Sequence, residues 1–131
     1  VKARILEPKE HLSPAGTLRV IELGLEIGVA FNRFFSVHGV AGAKAGGHGH
    51  KECHQIMFMM SGSANVSVHE SETTRSKFTL TNNGALLWIP PLNYVTYEFI
   101  DEVSSLGVFA SHAYDPKDYF YDVGELESFP R

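Results

Sequence analysis

Gly42-Ala43-Lys44-Ala45-Gly46-Gly47-His48-Gly49-His50-Lys51-Glu52-Cys53-His54-Gln55, continuing through Ile56-Met57-Phe58-Met59-Met60 to Ser61-Gly62-Ser63, is the stretch whose reading decides the fold. His48 and His50 are two residues apart. On a strand both side chains leave one face and converge on whatever that face lines. Gly46, Gly47 and Gly49 remove competing bulk around them and let a ligand approach the backbone. The run from Gln55 to Met60 is almost wholly apolar, as suits a strand buried on both faces, and Ser61-Gly62-Ser63 closes it with a turn.

Working outward, the same alternation of short apolar runs and turns recurs. Leu18 to Leu23 and Ala30 to Val37 read as strands before the glycine-rich stretch, and Ala64 to Val68 and Lys77 to Leu80 follow it around a polar loop from Ser71 to Ser76. Asn82-Asn83-Gly84 tolerates positive φ and marks a turn, after which Leu86 to Ile89 resumes the sheet. Pro90-Pro91 cannot donate ladder hydrogen bonds and ends that strand, and Val95 to Ile100 and Leu106 to Ala110 add two more. Asp115-Pro116 opens a tail in which Tyr119, Phe120 and Tyr121 are expected to pack back on the sheets. About eight strands at short intervals, no repeat and no helix-period stripe predict an all-β sandwich or barrel with little helix.

The chain has 131 residues, 44% of them hydrophobic, which suits one domain with a core that needs no disulfide. A chain beginning at Val1 is also compatible with a piece of a longer polypeptide. The net charge of −4 argues against a nucleic-acid surface, because phosphate backbones are held by clustered Lys and Arg. Cys53 is the sole cysteine, so no intrachain disulfide can form and a reducing cytoplasm is the expected compartment. No apolar run approaches the roughly 20 residues that span a bilayer, so no membrane partner is expected.

Two imidazoles leave a divalent ion short of its usual three or four ligands, and neutral Gln55 is a poor substitute for a carboxylate. Metal-free acid–base chemistry without a cofactor is therefore expected, since imidazole titrates near neutrality and two can divide proton acceptance and donation. Hydrogen bonding of both rings within a polar loop, without chemistry, is the competing structural explanation. His11, His38, His69 and His112 are expected at the surface, and Trp88 with Met57, Met59 and Met60 in the core. Alternation from Val95 places Tyr97 inward, either as a pocket hydroxyl or as a buried ring.

Gly42, His48, His50, Gln55 and Gly62 match the spacing of the first cupin motif, which resembles a double-stranded β-helix, the cupin or jelly-roll barrel. Metal-dependent cupins place Glu where Gln55 stands. Their second motif resembles Gly84, Pro90, Pro91 and Leu92, with Val95 where a third His would fall. A more specific likeness runs through Gly46-Gly47-His48-Gly49-His50-Lys51, Gln55, Ser61-Gly62-Ser63, Ile89-Pro90-Pro91, Ala110-Ser111, Tyr114-Asp115 and Asp118-Tyr119. These residues resemble the nucleotide-sugar 3,4-ketoisomerases.

That resemblance implies transfer of a keto group from C4 to C3 of a thymidine-diphosphate 4-keto-6-deoxyhexose through an enediol, on a route to unusual sugars of bacterial surfaces. It implies His50 as base and His48 as donor, assignments that can be exchanged. Gln55 would hold a sugar hydroxyl or orient an imidazole. Arg33 and Lys51 are the candidates for the diphosphate, and Tyr97 for a substrate contact. A homodimer is implied, with Leu18 to Leu23 covering a sheet edge. The family usually carries Arg where this chain has Ala45 and often where it has Ala15, and a tyrosine where it has Phe34, Phe35 and Ser36. Those departures keep open a non-catalytic module that holds a sugar nucleotide. A metal-dependent oxygenase or a different sugar epimerase would need ligands or a tyrosine that the motif positions do not supply.

Overall fold

The computed structural model describes residues 1–130. In chain order the elements are β1 (Arg4–Leu6), β2 (Lys9–Ser13), β3 (Gly16–Val20), α1 (Leu23–Glu26), β4 (Arg33–Val40), β5 (Lys44–His50), β6 (Gln55–Ser61), β7 (Ala64–His69), β8 (Arg75–Leu80), β9 (Leu86–Ile89), β10 (Tyr94–Phe99), β11 (Val103–Ala110) and β12 (Tyr119–Phe120). Ten of these form two five-stranded sheets in the orders β1-β9-β6-β11-β4 and β12-β5-β10-β7-β8, and β2 and β3 form a two-stranded sheet. Every pairing is antiparallel. Successive strands crossing between two sheets in this way make the double-stranded β-helix expected from the sequence.

Period-two alternation explains the core. Met57 and Met59 of β6, Leu87 and Ile89 of β9, and Leu106 and Val108 of β11 face Val66, Val68, Val95, Tyr97 and Phe99 of the other sheet, all buried in one cluster. Each such side chain contributes about 1.5–3 kcal/mol on burial. Gly46 and Gly47 adopt positive φ, 81° and 79°, where the register of β5 against β10 shifts between Val95 and Thr96. That bulge re-aims the end of β5 and brings His48 opposite Val95.

Several expected elements lie elsewhere. The N-terminal strand is Gly16–Val20 rather than Leu18–Leu23, every residue of it is exposed, and Leu23 opens a short helix. Leu18 and Val20 share one face of it, alternating with Thr17 and Arg19, yet both stay exposed and the strand joins neither five-stranded sheet. The edge is covered instead by β1, whose Leu6 is buried. β4 begins at Arg33 and runs to Val40, and β11 begins at Val103, both longer into polar sequence than apolar runs suggest because their partners satisfy the backbone. Met60 is exposed rather than in the core, since it points outward from β6. Trp88 is half-buried on the outer face, where Arg4 lies 5.2 Å over its ring.

Candidate active site

The end of β5 carries the histidines. His48 pairs with Val95 and His50 with Tyr119 of β12, placing the three rings on the inner face at the edge of the second sheet. The imidazole centroids are 5.4 Å apart and nearly perpendicular; Tyr119 lies 4.3 Å from His50 and 5.1 Å from His48. Gly49 between them has no tolerance for a side chain, because a Cβ would come within 2.2 Å of the Phe120 ring and 2.4 Å of the Asn93 carbonyl oxygen. The glycine therefore lets β12 and the Pro90–Asn93 loop close on β5 from two sides.

Asp118, 68 residues away in sequence, fixes His50: its Oδ2 lies 3.0 Å from His50 Nδ1. The backbone N–H groups of Glu52 and Cys53 also donate to this carboxylate, at 2.7 and 3.3 Å. An ionised carboxylate there holds the proton on Nδ1 and leaves Nε2 as the acceptor. His50 Nε2 is buried and has no partner among the described residues. Burial pushes the His50 imidazole below the ordinary histidine range; the Asp118 hydrogen bond opposes this and the charges of His48 and Arg33 add to it. Burial likewise lowers His48, partly offset by a hydrogen bond to the Gly46 backbone. Both rings are thus held neutral near pH 7 with a nitrogen able to accept a proton.

Across the barrel, Arg33, Ala110, Gln55 and Ile89 lie in one register row of the first sheet. Gln55 is buried and lines one small space with His50, Cys53, Asn93 and Val95. Arg33 has its guanidinium 5.4 Å over the Phe35 ring, and its Nε is buried without a partner among the described residues. The structure therefore brings Arg33, His48, His50 and Gln55 to one end of the barrel. It does not bring Lys51 or Tyr97 into that group. Lys51 is exposed with Nζ donating to the Lys117 carbonyl at 3.2 Å, because it follows the strand and turns outward. Tyr97 points inward as expected but packs in the apolar core, edge-on to Phe99 at 5.7 Å, and burial raises its phenol pKa.

Among the described residues, His50, Cys53 and Asp118 are the one group whose ligand atoms cluster tightly enough for a metal, within 4.8 Å of one another. The carboxylate is already engaged by His50 and two backbone N–H groups, so the trio fits a hydrogen-bonded positioning device. Val95, at the position of a third cupin histidine, pairs directly with His48 and presents methyl groups there. Sequence reasoning placed no role on Asp118 or Tyr119 beyond their resemblance to a family motif. It also passed over His54, whose Nδ1 accepts from Trp88 Nε1 at 3.2 Å. His69, expected at the surface, is half-buried with its ring edge-on to Tyr94 at 6.1 Å.

Comparison with known proteins bears on the fold that carries these residues. A TDP-quinovose 3,4-ketoisomerase from Campylobacter jejuni is similar with TM-score 0.86 and 23% identity over 97% of this chain and 98% of that one. A sugar 3,4-ketoisomerase from Thermoanaerobacterium thermosaccharolyticum, solved in complex with TDP, is similar with TM-score 0.83 and 24% identity over 96% and 92%. A 3,4-ketoisomerase from Helicobacter canadensis gives TM-score 0.83 and 23% identity over 95% and 93%. No curated protein matches. These likenesses establish the fold. The family model described as FdtA: WxcM-like, C-terminal, matches residues 2–130, so the chain belongs to the WxcM-like, C-terminal family.

Proposed function

We propose that the protein is a sugar-nucleotide 3,4-ketoisomerase acting on a thymidine-diphosphate 4-keto-6-deoxyhexose. The observation that carries this reading is the pair of neutral, differently held imidazoles at the barrel end, one tied to a carboxylate. The isomerisation relocates two protons, from C3 to C4 and from the C3 oxygen to the C4 oxygen, and needs no oxidant. His48 is half-buried, whereas His50 is 5% exposed. The more accessible ring suits the carbon proton, so His48 takes it from C3 and returns it at C4. His50 accepts the C3 hydroxyl proton at Nε2 and passes it to the C4 oxygen, with Asp118 stabilising the imidazolium between. These roles exchange those expected from sequence, for reasons of exposure. Arg33 supplies positive charge for the diphosphate and Gln55 a hydrogen-bonding group near His50. Lys51 is tied to the Lys117 carbonyl and Tyr97 packs in the core, so neither is given a substrate contact in this reading.

Similar enzymes named for TDP-sugars support the substrate class. A cytoplasmic site of action accords with a nucleotide-linked substrate. The protein functions as a homodimer, in which the exposed hairpin β2–β3 seats on the second copy through the face shared by Leu18, 62% exposed, and Val20, 37% exposed. The test is incubation with TDP-4-keto-6-deoxyglucose in deuterated water with chelator present, followed by NMR beside a His48→Ala control. Deuterium entering the hexose with formation of a 3-keto product, and lost in the control, supports the isomerase. Measurable binding without exchange instead identifies a sugar-nucleotide-holding module.

A further inference from the structure

Beyond the two imidazoles, three tyrosines continue outward from the site. Tyr119 touches both histidine rings, Tyr121 stacks on Tyr119 at 6.0 Å and 18° and lies 6.4 Å from His48, and Tyr114 meets Tyr119 at 5.6 Å. Tyr114 and Tyr121 are each 63% exposed. Exposed rings of this size ordinarily move freely, yet the segment bearing them is fixed. The Asp115 side chain accepts from Lys117 N at 3.0 Å, and Lys51 N donates to the Asp118 carbonyl at 2.8 Å. Glu125 Oε2 accepts from Tyr121 N and Asp122 N at 3.3 and 3.2 Å. A rigid aromatic face left open beside reactive imidazoles is preorganised for a ligand with an apolar side.

We propose that Tyr119 and Tyr121, flanked by Tyr114, are the platform for the hexose, with the C6 methyl of a 6-deoxy sugar against the Tyr121 ring. The inference rests on the isomerase reading and adds the feature that selects 6-deoxy over 6-hydroxy sugars. Position decides which part of the substrate lies here. A reacting carbon sits about 3–3.5 Å from its base. Tyr119 and Tyr121 each lie within one ring's reach of an imidazole, so they adjoin the hexose itself. The nucleobase is separated from that hexose by two phosphates and a pentose. Phenol rings present a π-face to C–H groups, and a hydroxymethyl in place of the methyl would trade part of its hydration for an apolar ring face.

The test uses calorimetric binding of TDP, TDP-6-deoxyglucose and TDP-glucose to the wild-type protein, Tyr121→Phe and Tyr121→Ala, with sedimentation of each variant. The expected result is a preference of roughly tenfold for the 6-deoxy analogue over TDP-glucose, as one apolar group in a pocket commonly gives. Tyr121→Phe should keep the preference and Tyr121→Ala should abolish it, with TDP affinity unchanged in both. An equal loss of TDP affinity would overturn the proposal by assigning the ring to the nucleobase. A preference unaffected by Tyr121→Ala would also overturn it, as would a change of sedimenting mass, which would assign the ring to a subunit contact. Neither analogue is turned over, so failure of the isomerase reading shows separately, as absent exchange with the keto substrate in a wild-type protein that still discriminates the methyl.

Discussion

Two short segments lie outside the main run of the barrel, and they are built in opposite ways. The N-terminal hairpin, Lys9–Ser13 with Gly16–Val20, has ten exposed strand residues, and among the described residues its strands pair with each other alone. Across it the main polar tie is Arg19 to Glu10 at 2.9 Å. The C-terminal strap is scarcely longer in regular structure, with two residues of strand and two 3-10 turns. Yet Asp118 accepts three hydrogen bonds from the end of β5 and its vicinity, and Phe120 and Leu126 are buried. Order in a short segment thus comes from long-range satisfaction of polar groups and burial of one or two side chains. The strap is part of the site; the hairpin is available to another surface.

The sharpest way to break this contrast is Asp118→Ala, which should lower kcat by about 100- to 1,000-fold, within the usual range for acid–base groups. It should also cost about 1–3 kcal/mol for donors left without an acceptor, read by chemical denaturation. Asp118→Asn should retain more stability. Because Asp118 opposes the lowering of His50, its removal should carry the acidic limb of the pH–rate profile further down. Unchanged kcat and profile would make the strap a scaffold only. Next in size, Gly49→Ala should cost about 1–3 kcal/mol by forcing Phe120 and the Asn93 loop off β5, with activity falling in parallel.

The pH dependence of stability is a milder test. His48, His50, His54 and His69 all have folded pKa values below the ordinary 6.5, with burial the first cause in each. Below pH 6.5 the unfolded chain binds more protons than the native one, so this contribution is complete above 6.5 and is lost as pH falls toward the folded values. The thermal midpoint should therefore decline between pH 7 and 5, and His48→Gln should flatten that decline. The smallest effect on the barrel belongs to the hairpin. Leu18→Ser with Val20→Ser should change the intrinsic stability of the fold by about 0.5 kcal/mol or less. The same pair should halve the sedimenting mass if the hairpin seats on a second copy.

The barrel was legible because β7 and β10 alternate with period two while β6 and β9 are short apolar runs, with Gly62, Gly84, Pro90 and Asn93 punctuating them. His48 and His50 were legible because two residues is one strand repeat, and Gln55 because it opens the adjacent buried run. Arg33 joins them through sheet register, which its sequence position did not reveal. Lys51 and Tyr97 are placed apart from the two imidazoles for opposite reasons. Lys51 is near His50 in sequence but past the strand, and Tyr97 shares the inward face but sits farther along the barrel. Asp118 lay hidden because its role depends on a contact 68 residues distant, in a segment with no periodicity. The N-terminal strand was misplaced because Leu18, Val20, Ile21 and Leu23 form an apolar run without a partner to choose its boundaries.

The bond from Trp88 to His54 makes the protein its own optical indicator. Trp88 is the sole tryptophan, its indole N–H rests on His54 Nδ1, and the rings lie nearly parallel at 10° with centroids 6.0 Å apart. Protonation of that nitrogen removes the acceptor and places a cation beside the indole. Fluorescence quenching on acidification would then track one imidazole at the entrance to β6, immediately before Gln55. Light emitted from the outer wall can thereby report whether the inner end of the same strand is still in place.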